Sequence, residues 1–185
     1  MAFTPVYSSG DNLYLNLTNL CPTECVFCAK LPGNRHYHGL DLSLDRAPGV
    51  EETWRAIVDR CSERSFDEFV FCGFGESVYR FEAVQELSRR LRQSFPRSGR
   101  RLNTIGLGSA IWGRDIVPEL AETMDSVSIS LNTSDPLQWI KLHRPRLEFR
   151  ASGFELVLEF ARRCVAAGID TTITAVKIPG VDLKA

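Results

Sequence analysis

Three cysteines of this chain fall within eight residues, in Cys21-Pro22-Thr23-Glu24-Cys25-Val26-Phe27-Cys28, at the spacing C-x3-C-x2-C. Six cysteines scattered at random over 185 positions would produce this pattern with a probability on the order of 0.006. The spacing lets one loop wrap a single inorganic centre with thiolates as soft ligands. Disulfides are the competing use of cysteine, and the N-terminus argues against them. Met1-Ala2-Phe3-Thr4-Pro5 has neither a basic n-region nor a long apolar h-region, so no secretory signal is read there. The expectation is a cytoplasmic protein, whose six cysteines are not three disulfides.

The identity of the centre stays open at this point. A structural zinc takes four protein ligands, and a Cys3His site could recruit His36 or His38. An electron-transfer cluster would want a fourth cysteine. A [4Fe–4S] cluster on three cysteines leaves one iron without a protein ligand, and an open metal position is what catalysis needs. A plain structural loop is the remaining alternative. Charge narrows the partners. Lys+Arg number 22 against 23 Asp+Glu, a net charge of −1, without the basic excess of a general nucleic-acid or membrane-surface binder. No stretch approaches the roughly 20 apolar residues of a membrane span.

The rest of the chain alternates short β-branched runs with longer runs of helical period, the pattern of βα units in an α/β domain. Strands are expected at 13–18, 69–72, 101–107, 126–131 and 171–178. Helices are expected at 51–64, 80–94, 116–123, from about Pro136 to before Pro145, and at 153–167. Trp54, Ile57, Val58 and Cys61 form the apolar stripe of the first helix. Phe81, Val84, Leu87 and Leu91 form that of the second. Phe154, Val157, Leu158, Ala161, Cys164 and Val165 form that of the last, which Gly168 ends as a C′ glycine. Five parallel strands with right-handed crossovers curl toward a barrel or form an open sheet, and in both, ligands sit at the C-terminal strand ends. Residues 19–49, 73–79, 107–114, 132–135 and 178–182 are therefore the loops that should carry chemistry.

The C-x3-C-x-aromatic-C loop after the first strand, with Phe27 at the aromatic position, resembles the radical S-adenosylmethionine (SAM) superfamily. The likeness extends to Gly73-Phe74-Gly75-Glu76, similar to its Gly-Gly-Glu element, and to Ser130-Leu131-Asn132 at the fourth strand end. Ile178-Pro179-Gly180 partly matches the segment near the adenine. Taken with residues 12–18, the motifs look closest to the TatD-associated radical SAM proteins. The resemblance spans about residues 13–180 and implies a single domain over 1–185, a partial (β/α) barrel of the radical SAM type with five βα units visible. Such cores generally have six, so the chain reads either as a shortened form or as a barrel open on one side.

The resemblance implies a [4Fe–4S] cluster on Cys21, Cys25 and Cys28, with SAM chelating the open iron. Its reductive cleavage would give a 5′-deoxyadenosyl radical that abstracts hydrogen from a substrate. It also implies an electron donor such as flavodoxin or ferredoxin. Three thiolates suit a potential toward the negative end of the roughly −700 to +450 mV range of such clusters. Gly73 and Gly75 would let backbone approach the ligand, and Glu76 would meet the SAM amino group. Ser130 and Asn132, two apart on a strand, would share a face and reach ribose hydroxyls. Arg144 would reach the SAM carboxylate, and Phe27 would pack beside the cluster. Three departures from the family pattern stand out: Phe74 for the usual Gly, Ser77 for the usual Pro, and Asn103-Thr104-Ile105-Gly106 where relatives often have Thr-Asn-Gly.

Other residues carry weaker signals. Cys61 and Cys164 read as small buried hydrophobes, and Cys72 as a thiol beside the site. Asn34-Arg35-His36-Tyr37-His38-Gly39 could cover the site or be a solvated loop. His143 carries no signal of its own. Arginines 89, 90, 92, 97, 100 and 101 read as a solvated face away from the active site. The rival function is a non-catalytic module binding zinc or an iron–sulfur cluster. The substrate class is not legible.

Overall fold

A parallel sheet opened by one antiparallel hairpin organises the molecule. It is seen in a computed structural model that describes residues 3–28, 30, 36–37 and 40–177. Its strands are β1 (Val6–Ser9), β2 (Asn12–Leu15), β5 (Glu68–Phe71), β6 (Gly99–Thr104), β7 (Ser126–Ser130) and β8 (Asp170–Thr174). A separate two-stranded hairpin, β3 (His36–Tyr37) and β4 (Leu40–Asp41), lies in the loop after β2. The six strands run in the order β1-β2-β5-β6-β7-β8, with β1 antiparallel to β2 and every other pair parallel. The order is open, so the sheet is a partial barrel.

Helices α1 (Val50–Glu63), α2 (Phe81–Ser94), α4 (Val117–Thr123) and α7 (Gly153–Ala166) supply the crossovers. Shorter pieces, α3 (Gly108–Trp112), α5 (Pro136–His143), α6 (Leu147–Arg150) and a 3-10 turn at Ser77–Arg80, lie at the C-terminal strand ends. The core sits between helices and sheet. Leu13, Leu15, Phe69, Phe71, Leu102, Val127 and Ile129 are fully buried against Phe81, Val84, Leu87 and Leu91 of α2 and Val157 and Cys164 of α7. Each such side chain contributes roughly 1.5–3 kcal/mol by leaving water. The alternate residues face the other way. The register puts Tyr7, Tyr14, Val70, Arg101 and Ser126 in one row across the sheet, so the inner face is largely polar.

The expected elements recur with ends shifted by four residues or fewer, and beyond the β3–β4 hairpin and the 3-10 turn the differences are these. β1 is an addition. It forms because Gly10-Asp11 makes a two-residue turn with Gly10 at φ 57°, which brings Val6 opposite Leu15. α3 and α6 are too short for periodicity to reveal them. On α1, Thr53 and Ile57 face the core while Val58 is exposed. On α7, Val165 is likewise exposed although Cys164 is buried. Both stripes drift because a helix in contact with a sheet buries a narrower face than its apolar content allows. Gly168 has φ 79° after the last residue of α7, as its role as C′ glycine requires.

The arginine group divides. Arg89 and Arg90 pair with Glu86, and Arg90 also with Glu51, on the surface. Arg92 and Arg97 are exposed. Arg100 is buried instead and ion-paired with Asp125, and Arg101 lies on the inner sheet face with Glu68 at 3.0 Å. The expected solvated face therefore ends where β6 begins, because strand entry carries both side chains into the fold. Among the described residues, no helix is long and apolar enough to cross a membrane.

Candidate functional site

The cysteine loop leaves the end of β2 and is tied down at both flanks. Asn16, fully buried, bonds through Nδ2 to Leu42 O at 2.7 Å and Thr4 O at 3.2 Å, and through Oδ1 accepts the Phe74 N–H at 2.9 Å. Asn19 holds Leu44 in the same manner, with Nδ2 to its carbonyl at 2.6 Å and Oδ1 from its N–H at 3.2 Å. On the far side the end of α5 acts as a strap. Glu24 N–H bonds His143 O at 3.0 Å, Val26 N–H bonds Leu142 O at 2.9 Å, and Arg146 N–H bonds Pro22 O at 3.0 Å. Thr23 and Pro145 form an isolated bridge between the two segments. Backbone hydrogen bonds of this kind place the thiols independently of their own side-chain torsions.

All three cysteines line one cavity of about 370 Å³, together with Asn19, Leu20, Thr23, Lys30, Arg144 and Arg146. Thr23 Oγ1 lies 3.5 Å from Cys21 Sγ and 3.3 Å from Cys25 Sγ, so one hydroxyl bridges two thiols. Burial, with the neighbouring Cys21 and Cys28, pushes the Cys25 thiol up to about 11, against the hydrogen bond from Thr23. Burial and then Glu76 raise that of Cys21. Each thiol would give up a proton on ligating a metal centre. Lys30, Arg144 and Arg146 outnumber the one acidic lining residue, Glu24, and give the cavity a net cationic rim suited to a carboxylate. Among the described residues, no three Cys, His, Asp or Glu side chains are grouped to hold a single metal ion.

The loop after β5 packs directly on the start of the cysteine loop. A Cβ on Gly75 would lie 2.4 Å from both Leu20 O and Thr18 O, and one on Gly73 would lie 2.1 Å from Asn16 Oδ1. What these glycines make room for in the structure is the chain itself. Glu76 N–H then bonds Leu20 O at 2.7 Å. The Glu76 carboxylate is buried, with Oε2 accepting from Ile105 N–H at 2.8 Å and Oε1 without a hydrogen-bond partner among the described residues. Burial drives its pKa up to about 7, opposed by the Ile105 bond and then by the Thr104 hydroxyl and the Val78 N–H, neither of which reaches Oε1 in hydrogen-bond geometry. An orphaned carboxylate oxygen close enough to Cys21 to raise its thiol is the kind of acceptor a cationic ligand group would complete.

Ser130 ends β7, and Asn132 follows with φ 67° and its side chain buried. Asn132 is bonded within the protein: its N–H to Thr174 O at 3.1 Å, its Oδ1 from Val176 N–H at 2.8 Å, and its Nδ2 at 3.1 Å from His143 Nε2. His143 is the residue that sequence reasoning missed. It is fully buried, its Nδ1 is 3.3 Å from Cys25 Sγ, and burial pushes its pKa down to about 4. Phe27 stands edge-on to its ring at 5.6 Å between centroids. The signal available was its place in the last turn of the helix before Arg144, which could not be read without knowing that this turn straps the cysteine loop.

Cys72 lies half-buried outside this cavity, its thiol raised by burial against a hydrogen bond with Asn103. Cys164 is buried, as expected, and Cys61 half-buried. Of the departures, Phe74 takes the Lys30 ammonium over its ring at 5.9 Å, and Ser77 is buried at the start of the 3-10 turn. The side chain of His38 and the segment Ile178-Pro179-Gly180 lie outside the described residues, as do Asn34, Arg35 and Gly39; His36 falls on β3.

The model of the radical SAM superfamily matches residues 15–185. No curated protein matches the chain. Among solved structures, a radical SAM methyltransferase from Sphaerobacter thermophilus is similar over 95% of this chain and 50% of its own, at 20% identity and a TM-score of 0.62. HydG, a maturase of the [FeFe]-hydrogenase, is similar over 89% of this chain and 34% of its own, at 15% identity and a TM-score of 0.56. The chain thus spans half or less of either structure, and at these identities the likeness is one of fold.

Proposed function

The chain belongs to the radical SAM superfamily, and on that premise we propose that it is an enzyme whose Cys21, Cys25 and Cys28 hold a [4Fe–4S] cluster with SAM in the cavity beside them. Bound together, these two groups supply one-electron reductive cleavage of the sulfonium, the chemistry that opens hydrogen abstraction from a substrate. The observation that carries the reading is the meeting of all three thiols with Lys30, Arg144 and Arg146 in one cavity at the C-terminal end of the parallel sheet. A lone zinc draws its thiolates to about 3.8 Å of one another, given Zn–S bonds of about 2.3 Å in a tetrahedron. A four-iron cube on the same triplet would hold its thiolates further apart.

Within this reading the chain's own residues bind and orient. Arg144, with Arg146, receives the carboxylate of the methionine moiety in charge-assisted hydrogen bonds. Glu76 Oε1 receives the amino group and in doing so gains the partner it lacks. Gly73 and Gly75 keep the Glu76 loop pressed against Leu20 and so hold both groups at one distance. Ser130 faces the ribose. Asn132 borders it while its amide holds Val176 and His143. Phe27 packs against the inner side of the cluster loop. An external one-electron donor of the flavodoxin or ferredoxin type supplies the electron.

Anaerobic reconstitution with iron and sulfide should give a brown protein with absorbance at about 400 nm, the charge-transfer region of iron–thiolate centres. Addition of SAM and dithionite should release 5′-deoxyadenosine, and Cys25→Ala should bring both signals to background. A colourless chain with one tightly bound zinc would end the cluster assignment. A coloured chain with no product above the Cys25→Ala control would leave a binding module in place of an enzyme.

A further inference from the structure

We infer that His143 is a positioning residue for the iron–sulfur centre: its Nδ1–H, held in place through Asn132 by the backbone of Val176, donates to Cys25 Sγ and raises the potential at which the cluster is reduced. The inference rests on the proposed role of Cys25 as a cluster ligand. Its geometry does not.

The tautomer follows from the hydrogen bonds. Nε2 of His143 has two neighbours with opposite demands, Asn132 Nδ2 at 3.1 Å, which offers a proton, and Leu131 O at 3.3 Å, which wants one. Asn132 decides between them. Its Oδ1 lies 2.8 Å from Val176 N–H, a group that can only donate, so the amide cannot be flipped without setting two donors against each other. Nδ2–H therefore points at Nε2, which must present its lone pair. A ring with a lone pair on Nε2 carries its proton on Nδ1, and that nitrogen is 3.3 Å from Cys25 Sγ. The Leu131 carbonyl is then a contact without a hydrogen bond.

The ring cannot turn away from this arrangement. Trp139 lies against it at 5.1 Å and Phe27 stands edge-on at 5.6 Å. Asn132 is itself fastened twice to the β8 segment, by its N–H to Thr174 O and by its side chain to Val176. Its backbone sits at φ 67°, a conformation that asparagine tolerates better than most residues. The result is a chain of donors running Val176, Asn132, His143, Cys25, from the end of the last strand to the cluster loop. A donor aimed at a ligating sulfur stabilises the more negative, reduced state of a cluster, and burial strengthens the effect.

The test pairs His143→Leu, which removes the donor, with His143→Asn, whose amide N–H falls near the position of Nδ1. Iron content and visible absorbance of the reconstituted proteins report loading, and an EPR-monitored titration reports the potential. The expected result is equal loading, a reduction equilibrium about tenfold weaker for the leucine variant, which is 59 mV more negative for one electron, and recovery toward wild type for the asparagine variant. A loaded leucine variant at the wild-type potential overturns the inference and leaves the cluster assignment standing. A wild-type chain that takes up no iron overturns both. If the leucine variant does not load, 15N NMR of the histidines in the full-length, iron-free wild-type chain decides. An Nδ1–H tautomer at His143 supports the inference, and an Nε2–H tautomer overturns it.

Discussion

A carboxylate buried with one oxygen unpartnered is costly, and Glu76 shows where that cost becomes measurable. Its pKa in the fold is about 7 against an ordinary 4.5. Below pH 4.5 it is protonated whether the chain is folded or not. Between 4.5 and 7 the unfolded chain ionises while the folded one keeps the proton, so stability falls as pH rises through the folded value. The loss amounts to something on the order of 3 kcal/mol and is complete above pH 7. His143 works the other way, since burial lowers its pKa to about 4, and its contribution is lost as pH falls from 6.5 through that value. The windows overlap, so the comparison must be with Glu76→Gln. In the iron-free chain the variant should gain on wild type by about that amount between pH 4.5 and 7.5 in urea unfolding. A difference that stays constant with pH would mean that Glu76 ionises normally. At this scale the sequence singled out Glu76, but it read Gly75 as room for a ligand. Its neighbours are Leu20 and Thr18, more than fifty positions away, and no local pattern encodes them.

Helix α5 shows what an element adds. Its start was legible, with Asp135 accepting from Leu137 N–H at 2.8 Å and Pro136 following in the first turn. Its end is unusual, because Arg144 takes the left-handed conformation, φ 44° and ψ 60°, at a position where glycine is the common choice. A side chain there costs about 1 kcal/mol, and the arginine's place on the cysteine cavity is the compensating use. Arg144→Gly should therefore leave stability unchanged or raise it by up to about 1 kcal/mol, which is about 2–4 °C in the thermal midpoint of a chain this size. The same change should weaken SAM binding to the reconstituted protein about tenfold, as loss of one charge-assisted bond predicts. Unaltered SAM affinity in isothermal titration would remove Arg144 from the site.

At the scale of the whole molecule, stability should be graded across the open sheet. Among the described residues, β5, β6 and β7 are each paired on both sides, whereas β8 pairs with β7 alone and exposes Ile173. Amide exchange should be slowest in β5–β7 and faster by orders of magnitude in β8. Equal protection of β8 and β6 by mass spectrometry would contradict this ordering. The gradient bears on function, because Asn132 is tethered to Val176 just beyond β8 and in turn contacts His143. On that ordering the edge linked to Cys25 through Asn132 and His143 opens more readily than the centre of the sheet.

The amino-acid sequence by itself determined the cysteine triplet, the βα alternation and the loops at the strand ends, because each is written in spacing or period over a few residues. It also implied the family, through motifs that each sit within one loop. Only the tertiary structure decided what faces what. It placed Arg146 on the cavity, filled the space over Gly75 with backbone, drew Arg100 into a buried ion pair, and joined His143 to Cys25 across 118 positions. Those contacts depend on how strands pair and how a helix end lies across a distant loop. They are consequences of packing, which a local pattern does not contain.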